Sequence, residues 1–188
     1  MAIKKKTIII ICAVAAVAVG VAAYIDSIDL DKMRQGAEAT WPGKSQYATR
    51  LAKIDKLKTD LRSAAANVPD IKKLADQLDH DEASLNGATD QGYEIKAINK
   101  IEKDTADIII MTDKTPSLEK MPDIQADVAS VSTPESSIWS KKYDDATAFY
   151  NISIHRIRHK ITMAIFNLRK IVPIANTWEF LKAKGLQK

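Results

Sequence analysis

The chain has 188 residues, a net charge of +4, six Gly, six Pro and one cysteine, so it holds no internal disulfide framework. The 163 residues after Ile25 are enough to bury a core without metals, and Lys, Asp, Ala, Ile and Leu give them the composition of helices. Residues 26–133 carry 15 basic against 20 acidic side chains and residues 134–188 carry 10 against 4; neither block interleaves aromatics as base stacking requires, so a nucleic-acid partner is not expected.

Lys4, Lys5 and Lys6 precede nineteen uncharged residues, Thr7 to Ile25. As a helix this run spans roughly 28 Å, close to the ~30 Å hydrocarbon thickness of a bilayer. A secretory signal has a shorter apolar core, ~7–15 residues, and a small-residue cleavage site. Val21-Ala22-Ala23 would serve as such a site, which keeps a cleaved, secreted protein as the rival reading. Tyr24 and Ile25 continue the run, with Tyr24 suited to the interfacial belt, and an uncleaved single-pass anchor is preferred. Lysines before the run and Asp26, Asp29 and Asp31 after it place the N-terminus in the cytoplasm. The expected organisation is a cytoplasmic tip at 1–6, a transmembrane helix at 7–25 and an extracytoplasmic helical bundle at 26–188. Cys12, inside the run, reads as a small apolar packing residue.

Beyond the run, Ile25, Ile28, Met33 and Ala37 continue a helical pattern that stops near Trp41-Pro42-Gly43. Ser45 is placed to cap the next helix. Tyr47, Leu51, Ile54, Leu61, Ala65 and Val68 form a heptad-like seam, with Lys58 at the one missing slot and Leu57 beside it. Asp70 begins another helix through Ile71, Leu74, Leu78, Leu85 and Ala88, weakened by Asn86-Gly87 and Gln91-Gly92, which kink or split it. Tyr93, Ile95, Ile98, Ile101 and Ala106 lead into Ile108-Ile109-Ile110-Met111, read as a buried helix end before Thr115-Pro116. Met121-Pro122-Asp123 opens a short element with Ile124, Val128 and Val131. Ser132, Pro134 and Glu135 spell a capping box. The helix predicted after it carries Trp139, Tyr143, Ala146, Tyr150, Ile154, Ile157, Ile161 and Ile165 over more than seven turns. Long helices with short breaks fold back on one another, so the expected fold is all-α: an antiparallel long-helix bundle behind one N-terminal transmembrane helix.

The segment YDDATAFYN, Tyr143 to Asn151, resembles the signature of the LemA family, which reads approximately Tyr-Asn-Asp-Ala-Val, two variable residues, then Tyr-Asn. Tyr143, Asp145, Ala146, Tyr150 and Asn151 match, and Asp144 departs from the usual Asn. Met121-Pro122-Asp123-Ile124-Gln125-Ala126 is similar to the family's Tyr-Pro-Asp-Leu-Lys-Ala element. Asn67-Val68-Pro69-Asp70-Ile71 echoes its Leu-Ile-Pro-Asn-Leu stretch only in part, and the Phe-Pro after the signature is absent. The likeness covers the anchor and about the last third of the chain. It implies the same plan, a short cytoplasmic tip, one transmembrane helix and a helical domain outside the bacterial cell membrane, and it implies no activity.

His155 and His159 stand four apart, the spacing at which two imidazoles share a metal on a helix. Arg156, Arg158 and Lys160 surround them and oppose a divalent ion, so a solvated polar face is the preferred reading. The acidic stretch Asp76 to Glu82 lacks the central glycine of a calcium loop and reads as a charged helix face. Asp144 and Asp145 are about 100° apart on a helix and do not share a site. Tyr143, Ala146 and Tyr150 do share a face, read as a packing seam whose edges the phenols cap, with Asn151 bonding across the bundle. There is no phosphate loop, catalytic triad or cysteine nucleophile, so an enzyme is not expected and no cofactor is assigned. The basic block Arg156, Arg158, Lys160, Arg169 and Lys170, interleaved with Ile157, Ile161, Ile165, Phe166 and Leu168, is a candidate contact for a membrane surface or a partner. After it, Ile171-Val172-Pro173-Ile174 breaks the helix, and Trp178 and Phe180 either return to the membrane or plug the bundle's end. The expected function is a non-enzymatic envelope scaffold that binds a protein partner or copies of itself. A ligand- or metal-sensing envelope domain is the alternative.

Overall fold

A computed structural model describes residues 5–133 and 139–185, with the side chains of Lys5, Lys6, Ile8, Ile9, Ile157, Arg158 and Ile161 outside that description. The described residues form nine helices and no strand: α1 Lys5–Glu38, α2 Gly43–Ala64, α3 Pro69–Asn86, α4 Gln91–Asp113, α5 Pro116–Glu119, α6 Pro122–Ser132, α7 Lys141–Ile154, α8 Ile157–Phe166 and α9 Thr177–Ala183. They belong to two compact units, one of residues 1–40 with 145–171 and one of 41–144 with 172–188. Residues 26–40 fall in the same unit as the apolar run.

In the first unit, α1 passes from the apolar run to Glu38 without a break. Its polar half is laced by Asp31 with Arg34 and Gln35 one turn on. Within the apolar run the described side chains other than Ala23 are exposed, Ile10 at 63% and Val17 at 67%, and this helix is long and apolar enough to cross a membrane. Among its described residues α1 buries Ala23, Leu30 and Ala37. Spaced seven apart, they make a narrow seam of small, large and small side chains that lets neighbours approach closely. Of the helical pattern Ile25, Ile28, Met33 and Ala37, Ala37 is buried and the other three are exposed. Ser153, Ile154, His159 and Thr162 of α7 and α8 are buried in this unit.

The long helix expected from Trp139 to Ile165 is two helices. The Ser153 carbonyl, which would continue the α-helical ladder, accepts from the Arg156 N–H at 3.1 Å and from His159 Nδ1 at 2.7 Å. Arg156 is extended at φ −63, ψ 144, and α8 starts afresh after it. Periodicity registers the apolar face on both sides of such a break but not the break itself. α8 ends at Asn167, in the left-handed region at φ 50, where Asn stands in for the usual glycine.

In the second unit, four-residue connections at 65–68 and 87–90 fold α2, α3 and α4 back on one another, antiparallel. α3 lies along α4, α6 packs on α2, and α9 closes against α4 and α6. The core is Tyr47, Ile54, Leu57, Leu61, Ile71, Leu78, Leu85, Ile98, Ile101, Ile108, Leu118, Val131 and Leu181. Asn86-Gly87 splits rather than kinks: Gly87 caps α3, and the Asp90 carboxylate caps α4 by accepting from the Tyr93 N–H at 3.1 Å. Ile108-Ile109-Ile110 form the buried end of α4, as the pattern predicts, while Tyr93 is exposed. Ser45 lies inside α2, which starts at Gly43 with Pro42 before it and no side-chain cap. Ser132 closes α6, and the expected capping box at Pro134 and Glu135 lies outside the described residues.

Candidate functional site

Residues 168–176, between α8 and α9, are extended and pair with no sheet, yet their backbone polar groups need partners. Residues 143–151 of α7 supply them through one device used twice. In the second unit, Tyr143 donates its hydroxyl to the Val172 carbonyl at 3.0 Å and Asp144 Oδ1 accepts from the Ile174 N–H at 2.9 Å. In the first unit, Tyr150 donates to the Arg169 carbonyl at 3.1 Å and Asn151 Oδ1 accepts from the Ile171 N–H at 3.1 Å. In both, a tyrosine holds one carbonyl and the next residue holds the N–H two positions further on. Asn151 adds a donation to the Ile171 carbonyl at 2.8 Å. Pro173 has no N–H to satisfy; its carbonyl accepts from Asn99 Nδ2 at 3.0 Å, and Asn99 Oδ1 accepts from the Ala175 N–H at 2.8 Å.

The seam of α7 is thus partly as read and partly different. Tyr143 and Tyr150 are fully buried, but Thr147 fills the place between them while Ala146 is half-buried and Asp145 is exposed. The phenols act as donors to backbone rather than as caps to a seam edge. Asn151 bonds the segment that follows α8, within its own unit. Asp144 contributes an acceptor oxygen, which an asparagine amide supplies equally well.

The same extended segment ends on a charged pair buried in the second unit. Glu102 of α4 and Arg50 of α2 are bidentate, Nε to Oε1 at 3.0 Å and Nη2 to Oε2 at 2.8 Å, with both side chains out of solvent. Tyr47 donates to Glu102 Oε1 at 3.0 Å. The Thr177 N–H and hydroxyl donate to Oε2 at 2.7 and 2.6 Å. Burial alone would raise the Glu102 pKa, but the Arg50 and Thr177 hydrogen bonds outweigh it and hold the carboxyl below the usual glutamate range. Burial, reinforced by the Glu102 charge, pushes the Tyr47 phenol well up, so it stays a donor. Trp139 packs on Tyr47 with ring centroids 4.8 Å apart, and Trp41 packs on Tyr143 at 5.3 Å, walling this end of the helices with aromatics. This arrangement fixes backbone and excludes water; it presents no open reacting position.

The charged face of α3 has a structural use. Lys58, almost buried at its seam slot, extends its ammonium into Asp55, Asp79 and Glu82 at 2.6 to 2.9 Å. Arg62 bonds Asp76 and Asp79, and Lys100 bonds the buried Asp81. Among the described residues no group of three potential ligands is gathered for a metal. His155 and His159 do not share a helix: His155 is exposed in the turn after α7, and His159 is buried on α8 with Nε2 4.0 Å from Asp26. The helical spacing that suggested a two-imidazole site is lost with the break at Arg156. Of the basic block, Arg156, Lys160, Arg169 and Lys170 are exposed, and the Arg158 side chain is outside the described residues. Trp178 and Phe180 are half-buried on α9, which packs in the second unit.

Arg50, Glu102, Asn99 and Thr177 were not singled out by sequence. Two of them left a signal: Arg50 stands between Tyr47 and Ile54 at seam spacing, and Glu102 adjoins Ile98 and Ile101, so opposite charges occupy core-facing slots of two helices. Compared with family models, curated proteins and solved structures, the chain matches none.

Proposed function

We propose that this chain is a single-pass bacterial membrane protein of the LemA type, a non-enzymatic scaffold whose helical units lie outside the cell membrane and bind a protein partner or another copy. The observation that carries the membrane reading is the outward-facing apolar run of α1. Ile10, Ile11, Val14, Val17 and Val21 present more than half of their surface, with no described residue covering it. Such a stripe is stable only in an apolar solvent, and a helix satisfies its own backbone there. Lys4, Lys5 and Lys6 before the run, with Asp26, Asp29 and Asp31 after it, support a cytoplasmic N-terminus. The match of Tyr143, Asp145, Ala146, Tyr150 and Asn151 to the LemA signature supports the family.

Mass spectrometry of the protein from its native membrane, after alkaline carbonate washing, tests this reading. Retention in the pellet with the residues before Tyr24 present is expected. A soluble product beginning at or beyond Tyr24 would identify a cleaved signal and overturn the proposal. Crosslinking in the same membranes is expected to give a heterologous or homodimeric adduct.

A further inference from the structure

At the end of the apolar run, α8 lies against α1 with two anchoring contacts. His159 Nε2 is 4.0 Å from Asp26, and the Phe166 ring stacks obliquely on Tyr24 at 6.5 Å between centroids. Held by these two contacts, α8 sits against α1 where the apolar run ends. Its His159 and Thr162 are buried, while Ile165 at 57% and Phe166 at 39% exposure continue the outward apolar surface of Tyr24 and Ile25. Just past the helix, Asn167 turns the chain, Tyr150 pins the Arg169 carbonyl, and the Arg169 and Lys170 side chains are exposed beside this apolar tip.

We infer that α8 is an interfacial helix. Resting on the membrane reading above, it lies in the headgroup layer of the leaflet where α1 emerges, with Ile165 and Phe166 at the acyl boundary and Arg169 and Lys170 on anionic lipid phosphates. Apolar residues continuous with the membrane-facing surface, with cations beside them, match the two forces that hold such helices, burial and charge. A phosphate-bearing lipid is the occupant that satisfies both; a free phosphate leaves Ile165 and Phe166 wet.

The test uses the full chain with Cys12→Ala and a single environment-sensitive fluorophore at Ile165→Cys, reconstituted in vesicles of phosphatidylcholine with phosphatidylglycerol. Phe166→Cys is the second probe, and Val17→Cys reports on the anchor. Blue-shifted emission at Ile165, quenched by a nitroxide near the headgroup end of the acyl chain, is expected. The equilibrium constant for lipid contact, taken from the ratio of quenched to unquenched probe, should fall on removing phosphatidylglycerol and by about fivefold for each cation removed in Arg169→Gln and Lys170→Gln. If Val17 is quenched by a deep nitroxide while Ile165 and Phe166 report water, the anchor stands and the interfacial helix is overturned. If Val17 also reports water, the membrane reading fails with it. A blue shift without lipid quenching would mean a protein on this face, and quenching indifferent to lipid charge would remove the phosphate contact; either result overturns the inference.

Discussion

Glu102 concentrates the energetics of the second unit at one carboxylate. Its five hydrogen bonds come from α2 and from the start of α9, so it ties three helices together. Removing one member of a buried ion pair strands the other charge, and Glu102→Gln is expected to cost about 3–5 kcal/mol in urea unfolding of this unit. Replacing Arg50 and Glu102 together by apolar residues should cost less than the sum of the single changes, because no buried charge is left behind. The pH dependence has a definite sign. The folded pKa of Glu102 lies below its unfolded value of ~4.3, so its contribution is complete above that value and is lost as pH falls through the depressed one. Urea midpoints measured across that range should converge for the native chain and Glu102→Gln only at the acid end. At this scale the sequence carried a readable clue in two charges on seam slots. It did not carry Asn99 or Thr177, whose partners, the Pro173 and Ala175 backbone for one and the Glu102 carboxylate for the other, lie more than seventy residues away.

Several helices in this chain start where local chemistry tells them to. Val68-Pro69, Thr115-Pro116 and Met121-Pro122 each put proline at the first helical turn, where its missing N–H is harmless, and all three start helices. Asp90 caps α4 in the same local manner. Asp90→Ala is expected to cost about 1 kcal/mol and Asp90→Asn little, read as a shift of the unfolding midpoint of the second unit. The break between α7 and α8 is not local in this way. Nothing from Ser153 to Ile157 is glycine or proline, and the ring that takes the Ser153 carbonyl belongs to His159, six residues on. That ring is held in turn by burial and by its neighbour Asp26 on α1, so the decision to stop α7 is a tertiary one.

The two compact units share the chain unevenly, and the C-terminal segment serves both by separate bonds. Arg169 and Ile171 are held in the first unit; Val172, Pro173, Ile174, Ala175 and Thr177 are held in the second. A chain ending at Ile171 loses α9 and the Thr177 donors while keeping the Tyr150 and Asn151 contacts. Hydrogen exchange is expected to show α2, α3 and α4 losing protection, with α7 and α8 keeping theirs. Unchanged protection in α4 would show that the second unit does not depend on this closure. The grouping into these two units is not legible in the helix pattern, because an amphipathic stripe states that a face is buried, not which partner buries it.

Sequence alone determined what depends on neighbours within a turn or two: the helical class, the bilayer-length apolar run, the start at Met121-Pro122 and a weak point at Asn86-Gly87. These follow from propensity, periodicity and backbone sterics, which act over a few residues. Only the tertiary structure decided which stripe residues of α1 are covered, where α7 stops, and what Tyr143, Asp144, Tyr150 and Asn151 are for. Each of those depends on a backbone group or side chain brought close by folding, and a tyrosine at helical spacing looks the same whether its hydroxyl meets water or a distant carbonyl.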